Sequence, residues 1–241
     1  MQVATMPGGN AAPLARRVHL HQLRLLRFAL HEPSDAARPE VENYIRRRFA
    51  GSHDACISHF LPHLVSLGSG GQPCAAVGMA DAARGPLFAE TYLPAPIETL
   101  VSHACGGPVG RGDILEIGNL VSGWRGGSLL LFVFLGELID RLGYRFVTFT
   151  ATREVERLLA RLGHAPVVLA DADPSRLPDG GASWGRYYSH RPRVMFGEVR
   201  PAVQAARRDT LYRAAARAIA PQVERVLAQW PRRSDAGSAR A

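Results

Sequence analysis

The chain has 241 residues, a formal charge of +8 and a sequence pI near 10.2, and every basic residue is an arginine. Residues 1–50 carry eight Arg against four acids, residues 51–199 twelve against fourteen, and residues 200–241 nine against three; a nucleic-acid-binding core is therefore not expected, and the basic ends read as solvated faces or as a surface for an acidic partner such as a carrier protein, anionic lipid or nucleic acid. The composition is ordinary for a globular protein with one core plus extensions, and the longest apolar run, Leu129 to Leu135, is far too short to span a bilayer.

Residues 1–15 are rich in Gly, Pro and Ala and are expected to be disordered, with no signal peptide. Val18 to Leu30 reads as a strand or a short helix. Ser34 or Asp35 caps a helix running to about Phe49, with Pro39 near its first turn and Arg46, Arg47 and Arg48 near its end, where cations suit the helix dipole. Residues 51–59 read as a loop. Leu61–Leu67 and Pro73–Ala80 form an antiparallel hairpin turning at Gly68–Gly71. Glu90 and Tyr92 precede a Pro-x-Pro break, after which Ile97, Leu100 and Val101 suggest a short amphipathic helix.

The rest of the chain is organised around Asp113 to Thr152. Asp113 to Val121 is β-prone, Gly123, Gly126 and Gly127 punctuate a turn, Ser128 caps an apolar helix that ends at Gly143, and Arg145 to Thr150 is a second strand. In this βαβ-like unit the amides of Arg125 to Leu129 either hold a phosphate, helped by the helix dipole, or simply reverse the chain. Thr152 caps a helix to Leu162 that ends at Gly163. Pro166–Ala170 is a strand, Asp171–Ser183 a polar loop, Trp184–His190 an aromatic stretch and Val194–Val199 the last strand. Residues 202–230 read as a basic helix interrupted at Pro221. A mixed sheet with helices on both faces, α/β or α+β in class, accounts for this order; a doubly wound sheet fits worse, because a tight turn links the first strands.

Glu116 stands out because its strand is otherwise apolar and an unpaired carboxylate there is costly. In a regular strand Asn119 faces the other way; a bulge near Gly118 would turn both side chains to one face. Cys56, Cys74 and Cys105 are an odd count without metal spacing and read as reduced thiols of a cytoplasmic protein. No His or acid stands in a recognisable relation to Cys105 as a nucleophile. His103 and His164 have no partner pattern, so no metal site is expected.

The blocks ILEIGNLVS, TFTAT, RLG, LADADPSRL and WGRYY, in that order over roughly residues 35–200, resemble the thermostable hemolysin family. Their strand–turn–helix core is similar to that of the GNAT acyltransferases, including the acyl-homoserine-lactone synthases. The resemblance implies a GNAT-like acyltransferase domain over residues 16–200, a basic helical extension over 201–230 and a disordered tail over 231–241. It implies an N-acyltransferase with no tightly bound cofactor. The co-substrate would be an acyl-CoA or the phosphopantetheine thioester of an acyl carrier protein, and the acceptor an amine.

On that resemblance Val121, Gly123, Arg125, Gly126, Gly127 and Ser128 cradle the donor. The usual Gln/Arg-x-x-Gly-x-Gly/Ala turn is here Gly123-x-x-Gly126-x-Ser128, with Arg125 two places after the missing Gln/Arg. Glu116 is a general base or orients the amine, or else is paired with an arginine; Asn119 positions the substrate. Tyr187 protonates the leaving thiolate, with Trp184 and Tyr188 beside it, or this cluster is core packing. Glu90, Tyr92, Thr150 and Thr152 line the substrate. The family name also admits a membrane-active protein using the 202–230 helix on lipid, and the fold admits an inactive ligand-binding protein.

Overall fold

The hairpin turns where Gly70 and Gly71 adopt φ of 58° and 83°, a conformation that L side chains resist. Its strands are β2 (His63–Ser69) and β3 (Gln72–Asp81). The computed structural model describes residues 26–123, 127–161 and 165–231. The expected disorder of residues 1–15, Arg125 and Gly126 of the turn, His164, and positions 232–241 of the tail lie outside the described residues.

β1 (Arg27–His31) pairs antiparallel with β2, and β3 pairs antiparallel with β4 (Ile114–Ser122). Helix α3 (Gly127–Leu142) then crosses to β5 (Phe146–Ala151), which lies parallel to β4. β7 (Arg193–Glu198) is antiparallel to β5 and to β6 (Val167–Asp171). The result is one mixed sheet of seven strands, ordered β1-β2-β3-β4-β5-β7-β6. Helices α1 (Arg38–His53) and α2 (Ile97–Cys105) cover one face. The other is covered by α3, α4 (Arg153–Arg161), α5 (Val199–Ala206) and α6 (Thr210–Gln229).

Two expectations change. α1 starts at Arg38 rather than at the 34–35 cap, with the Asp35 carboxylate accepting the Ala37 amide just ahead of it at 2.9 Å, and it continues through the expected 51–59 loop as far as His53. The C-terminal helix is not interrupted at Pro221, which sits inside α6; the break comes before it, where the Asp209 carboxylate accepts the Tyr212 amide and starts α6 afresh. Burial of Ile219, Val223 and Val226 outweighs the one hydrogen bond that Pro221 forgoes. With Trp230 these residues belong to the core cluster, so the stretch is packed into the domain rather than appended to it.

Candidate functional site

The sheet opens along β4. Parallel pairing with β5 covers only Ile114–Ile117 against Phe146–Phe149, while β4 runs on to Ser122. On the other side Ala76 of β3 pairs with Val121 and Gly78 with Gly118, so one residue of β3 faces both Asn119 and Leu120. This is the expected bulge, one residue later than Gly118, and Asn119 accommodates it at φ 49°. Gly78 makes the room: a Cβ there would lie 2.8 Å from the Asn119 Oδ1.

The bulge brings Glu116 and Asn119 to one small cavity of about 10 Å³, room for roughly one water. His59, Phe88, Thr150 and Trp184 also line it. Glu116 is 3% exposed. Its partner is not an arginine but a 3₁₀ turn, Phe88–Tyr92: Oε2 accepts the Phe88 amide at 2.8 Å and Oε1 the Ala89 amide at 2.9 Å. Burial pushes its pKa up to about 7, against the opposing pull of those two amides. A carboxylate has about four acceptor positions, so two donors leave capacity for more.

Asn119 has a different task from the expected one. Its Oδ1 accepts the Leu61 amide at 2.9 Å and its Nδ2 donates to the His59 carbonyl at 3.2 Å. The side chain pins the segment between α1 and β2 over the cavity and acts as a positioning residue. His59 stacks on Phe88 at 4.8 Å between centroids, and desolvation holds its pKa below the usual imidazole value. Sequence reading missed both rings. A histidine in an irregular connection carries no periodic signal.

Glu90 is not placed to meet a substrate. Its carboxylate accepts the Leu87 and Ile97 amides and the Arg111 guanidinium, at 2.7 Å through Nη1 and 3.0 Å through Nη2. Burial opposes its ionisation, but Arg111 and the amides prevail and hold its pKa at about 2. Tyr187 also departs from its expected role. It is fully buried, its hydroxyl donates to the Thr150 carbonyl at 3.5 Å, and burial raises its pKa well above the ordinary phenol value. That hydroxyl faces the backbone of β5, not a leaving thiolate. The Tyr188 and Tyr92 hydroxyls lie 2.5 Å apart, and Trp184 packs against Tyr187 and Tyr188 while lining the cavity. Thr150 lines the same cavity, whereas Thr152 borders another cleft.

Toward the glycine turn expected to cradle the donor, Val121 is buried and the Gly123 amide donates to the Cys74 carbonyl at 2.9 Å. Gly127 is buried in the first turn of α3 and Ser128 half-buried. Arg48 of α1 reaches this end of β4, donating to the Ser122 carbonyl at 3.1 Å. Its place beside the turn was hidden in a run of three arginines read as helix-end charge. Among the described residues no three metal-ligating side chains converge, and no helix is long and apolar enough to cross a membrane.

A family model described as thermostable hemolysin matches residues 31–203. No curated protein matches the sequence. Among solved structures, FeeM, an N-acyl amino acid synthase from uncultured soil microbes, is 12% identical with a TM-score of 0.50, covering 78% of this chain and 98% of that one. The AHL synthase LasI is 14% identical with a TM-score of 0.48 over 74% and 93% of the two chains. An acyl-CoA N-acyltransferase from Pseudomonas aeruginosa is 13% identical with a TM-score of 0.44 over 71% and 99%. With the mixed sheet, the likeness to FeeM shows the fold to be of the GNAT-like acyltransferase type.

Proposed function

The chain belongs to the thermostable hemolysin family, and on that footing and its fold we propose that it is an N-acyltransferase moving an acyl group from a thioester, on coenzyme A or an acyl carrier protein, to an amine. The observation that carries the reading is Glu116: a buried carboxylate with a pKa of about 7, beside a water-sized cavity where β4 parts from β5. A base is most useful when its pKa lies near the working pH.

In this reading the thioester lies along the unpaired stretch of β4, with its phosphates toward Gly123, Gly127, Ser128 and Arg48. The amine nitrogen attacks the thioester carbon, and its proton passes through the cavity water to Glu116. The tetrahedral intermediate collapses, the C–S bond breaks, an amide forms and the thiolate leaves. Asn119 contributes by fixing the wall that carries His59 and Leu61. Trp184, Tyr188 and Tyr92 pack on the acceptor side, and the acid that protonates the thiolate is solvent rather than Tyr187.

The test is thiol release from acyl-CoA and acyl carrier protein thioesters of increasing chain length against a panel of amines. Release with an amine, abolished in Glu116→Gln, supports the proposal. Absence of release with every donor and amine overturns it.

A further inference from the structure

The cavity beside Glu116 has walls of one electrical character. Glu116 is the acid that lines it, and among the described residues no arginine does; the chain has no lysine. Arg111, which reaches the Phe88–Tyr92 turn, is committed to Glu90 at 2.7 Å and to Glu98 at 2.8 Å. His59 is the other titratable group of the lining. Desolvation holds its pKa below the usual imidazole value, so near neutral pH it faces the cavity as an uncharged ring.

Three rings share the lining with that carboxyl: His59, Phe88 and Trp184. His59 stacks on Phe88 with 24° between the planes, and Phe88 lies 5.7 Å from Trp184 between centroids. Phe88 is joined to Glu116 directly, its amide donating to Oε2 at 2.8 Å. His59 is exposed and Phe88 half-buried, so these two form the rim, while Trp184 and Glu116 lie inside. A buried carboxylate walled by aromatic rings favours a cation, which pairs with the carboxylate and is attracted to ring faces. The same walls disfavour an anion, which would be desolvated without a partner and repelled by ionised Glu116.

Size adds to charge. The cavity, about 10 Å³, takes the water through which Glu116 works and nothing larger. The reacting nitrogen therefore enters at the mouth, and whatever else its carbon bears lies against His59, Phe88 and Trp184. We propose that the acceptor is an alkylamine or arylalkylamine that arrives as its ammonium ion and carries no carboxylate on the carbon next to nitrogen. An α-amino acid would press its carboxylate against these rings, beside Glu116 and with no guanidinium among the described lining residues to meet it. This assignment rests on the N-acyltransferase reading.

The test uses acceptors that share one arm: phenethylamine, phenylalaninamide and phenylalanine. The amino acid amide has the bulk of the acid without its charge. In thiol release from a thioester that supports turnover, kcat/KM is expected to be highest for the amine. It is expected to be about tenfold lower for the acid than for the acid amide, compared at equal concentrations of the ammonium form. Calorimetry without thioester reads the same order as affinity. Binding of phenethylamine is expected to be lost in Glu116→Gln and to weaken about fivefold in Phe88→Leu, which keeps the backbone amide on Glu116 and removes the ring. His59→Leu, at the exposed rim, is expected to weaken it similarly. An acid used or bound as well as its amide overturns the assignment and leaves the acyltransferase reading standing. Amine binding unaffected by Glu116→Gln and by both ring substitutions overturns the site. Binding in the expected order with no thiol release from any thioester overturns the acyltransferase reading and leaves an ammonium site standing.

Discussion

Glu116 accepts two amides of the 3₁₀ turn that carries Glu90, and the two carboxyls ionise at opposite ends of the carboxylate range. Glu116 takes the Phe88 and Ala89 amides, and burial lifts its pKa to about 7. Glu90 takes the Leu87 amide and the Arg111 guanidinium, and its pKa is about 2. The charge on Glu90 itself adds to the rise at Glu116.

The pH–rate profile for acyl transfer is expected to rise with pH and to level off above about 7, because the base form of Glu116 is the active one. Glu116→Gln is expected to lower kcat/KM by about a hundredfold or more and to remove that limb. The sign for stability is opposite. A carboxyl whose folded pKa is raised favours folding least when ionised, so its contribution declines as pH rises from the ordinary 4.5 to about 7. Thermal melts between pH 4.5 and 8 check this against the Glu116→Gln variant.

The Glu90–Arg111 pair holds the turn in place and is expected to govern acid stability. Its pKa is depressed, so its contribution is present above the ordinary 4.5 and is lost as pH falls toward about 2. Arg111 also donates to the Ala82 and Gly85 carbonyls and to Glu98. Arg111→Met leaves these acceptors unpaired and is expected to cost about 3 kcal/mol, a drop of about 6–12 °C in Tm.

Asn119 gives a discriminating pair of substitutions. Both Asn119→Gly and Asn119→Ala lose the bonds to Leu61 and His59, but only Ala keeps a Cβ at φ 49°. Asn119→Gly is expected to be the more stable of the two by about 1 kcal/mol, read from denaturant midpoints. Unchanged stability in both would remove Asn119 as the clamp on the cavity wall.

Much of the sheet was legible because its signals are local. Glycines mark the β2–β3 turn, and two β-prone apolar runs joined by an apolar crossover mark β4, α3 and β5. The bulge was legible too, because a lone Glu and a nearby Asn in an apolar strand need a reason to share a face. What could not be read was the far partner of each polar group. Glu116 meets backbone amides 27 and 28 residues away, and Asn119 meets backbone groups 58 and 60 residues away. Backbone partners have no residue type, so no spacing announces them. The same blindness assigned Glu90 and Tyr187 to substrate and reaction when Arg111 and the Thr150 carbonyl already hold them.

The packing of α6 bears on the family name. A lytic action by this helix would require Ile219, Val223, Val226 and Trp230 to leave the core. Trp230 also packs on His63 at 4.8 Å. Trp230→Ala is expected to cost about 3 kcal/mol of stability, and the wild-type protein is expected to cause no dye leakage from anionic liposomes below its Tm. Leakage by the folded protein would favour the membrane-active reading instead. Deleting residues 201–241 is no clean probe of the basic end, since it strips the core.

Gln222 closes the outer edge of β1, accepting the Phe28 amide at 2.9 Å and donating to the Leu26 carbonyl at 3.3 Å. Phe28 and Gln222 are 194 residues apart. On a ribosome adding about 5–20 residues per second, β1 emerges roughly ten to forty seconds before the side chain that seals it. Throughout that interval the nascent chain presents a raw strand edge, and it is then, rather than in the finished molecule, that a chaperone or a neighbouring nascent chain would find a template for pairing.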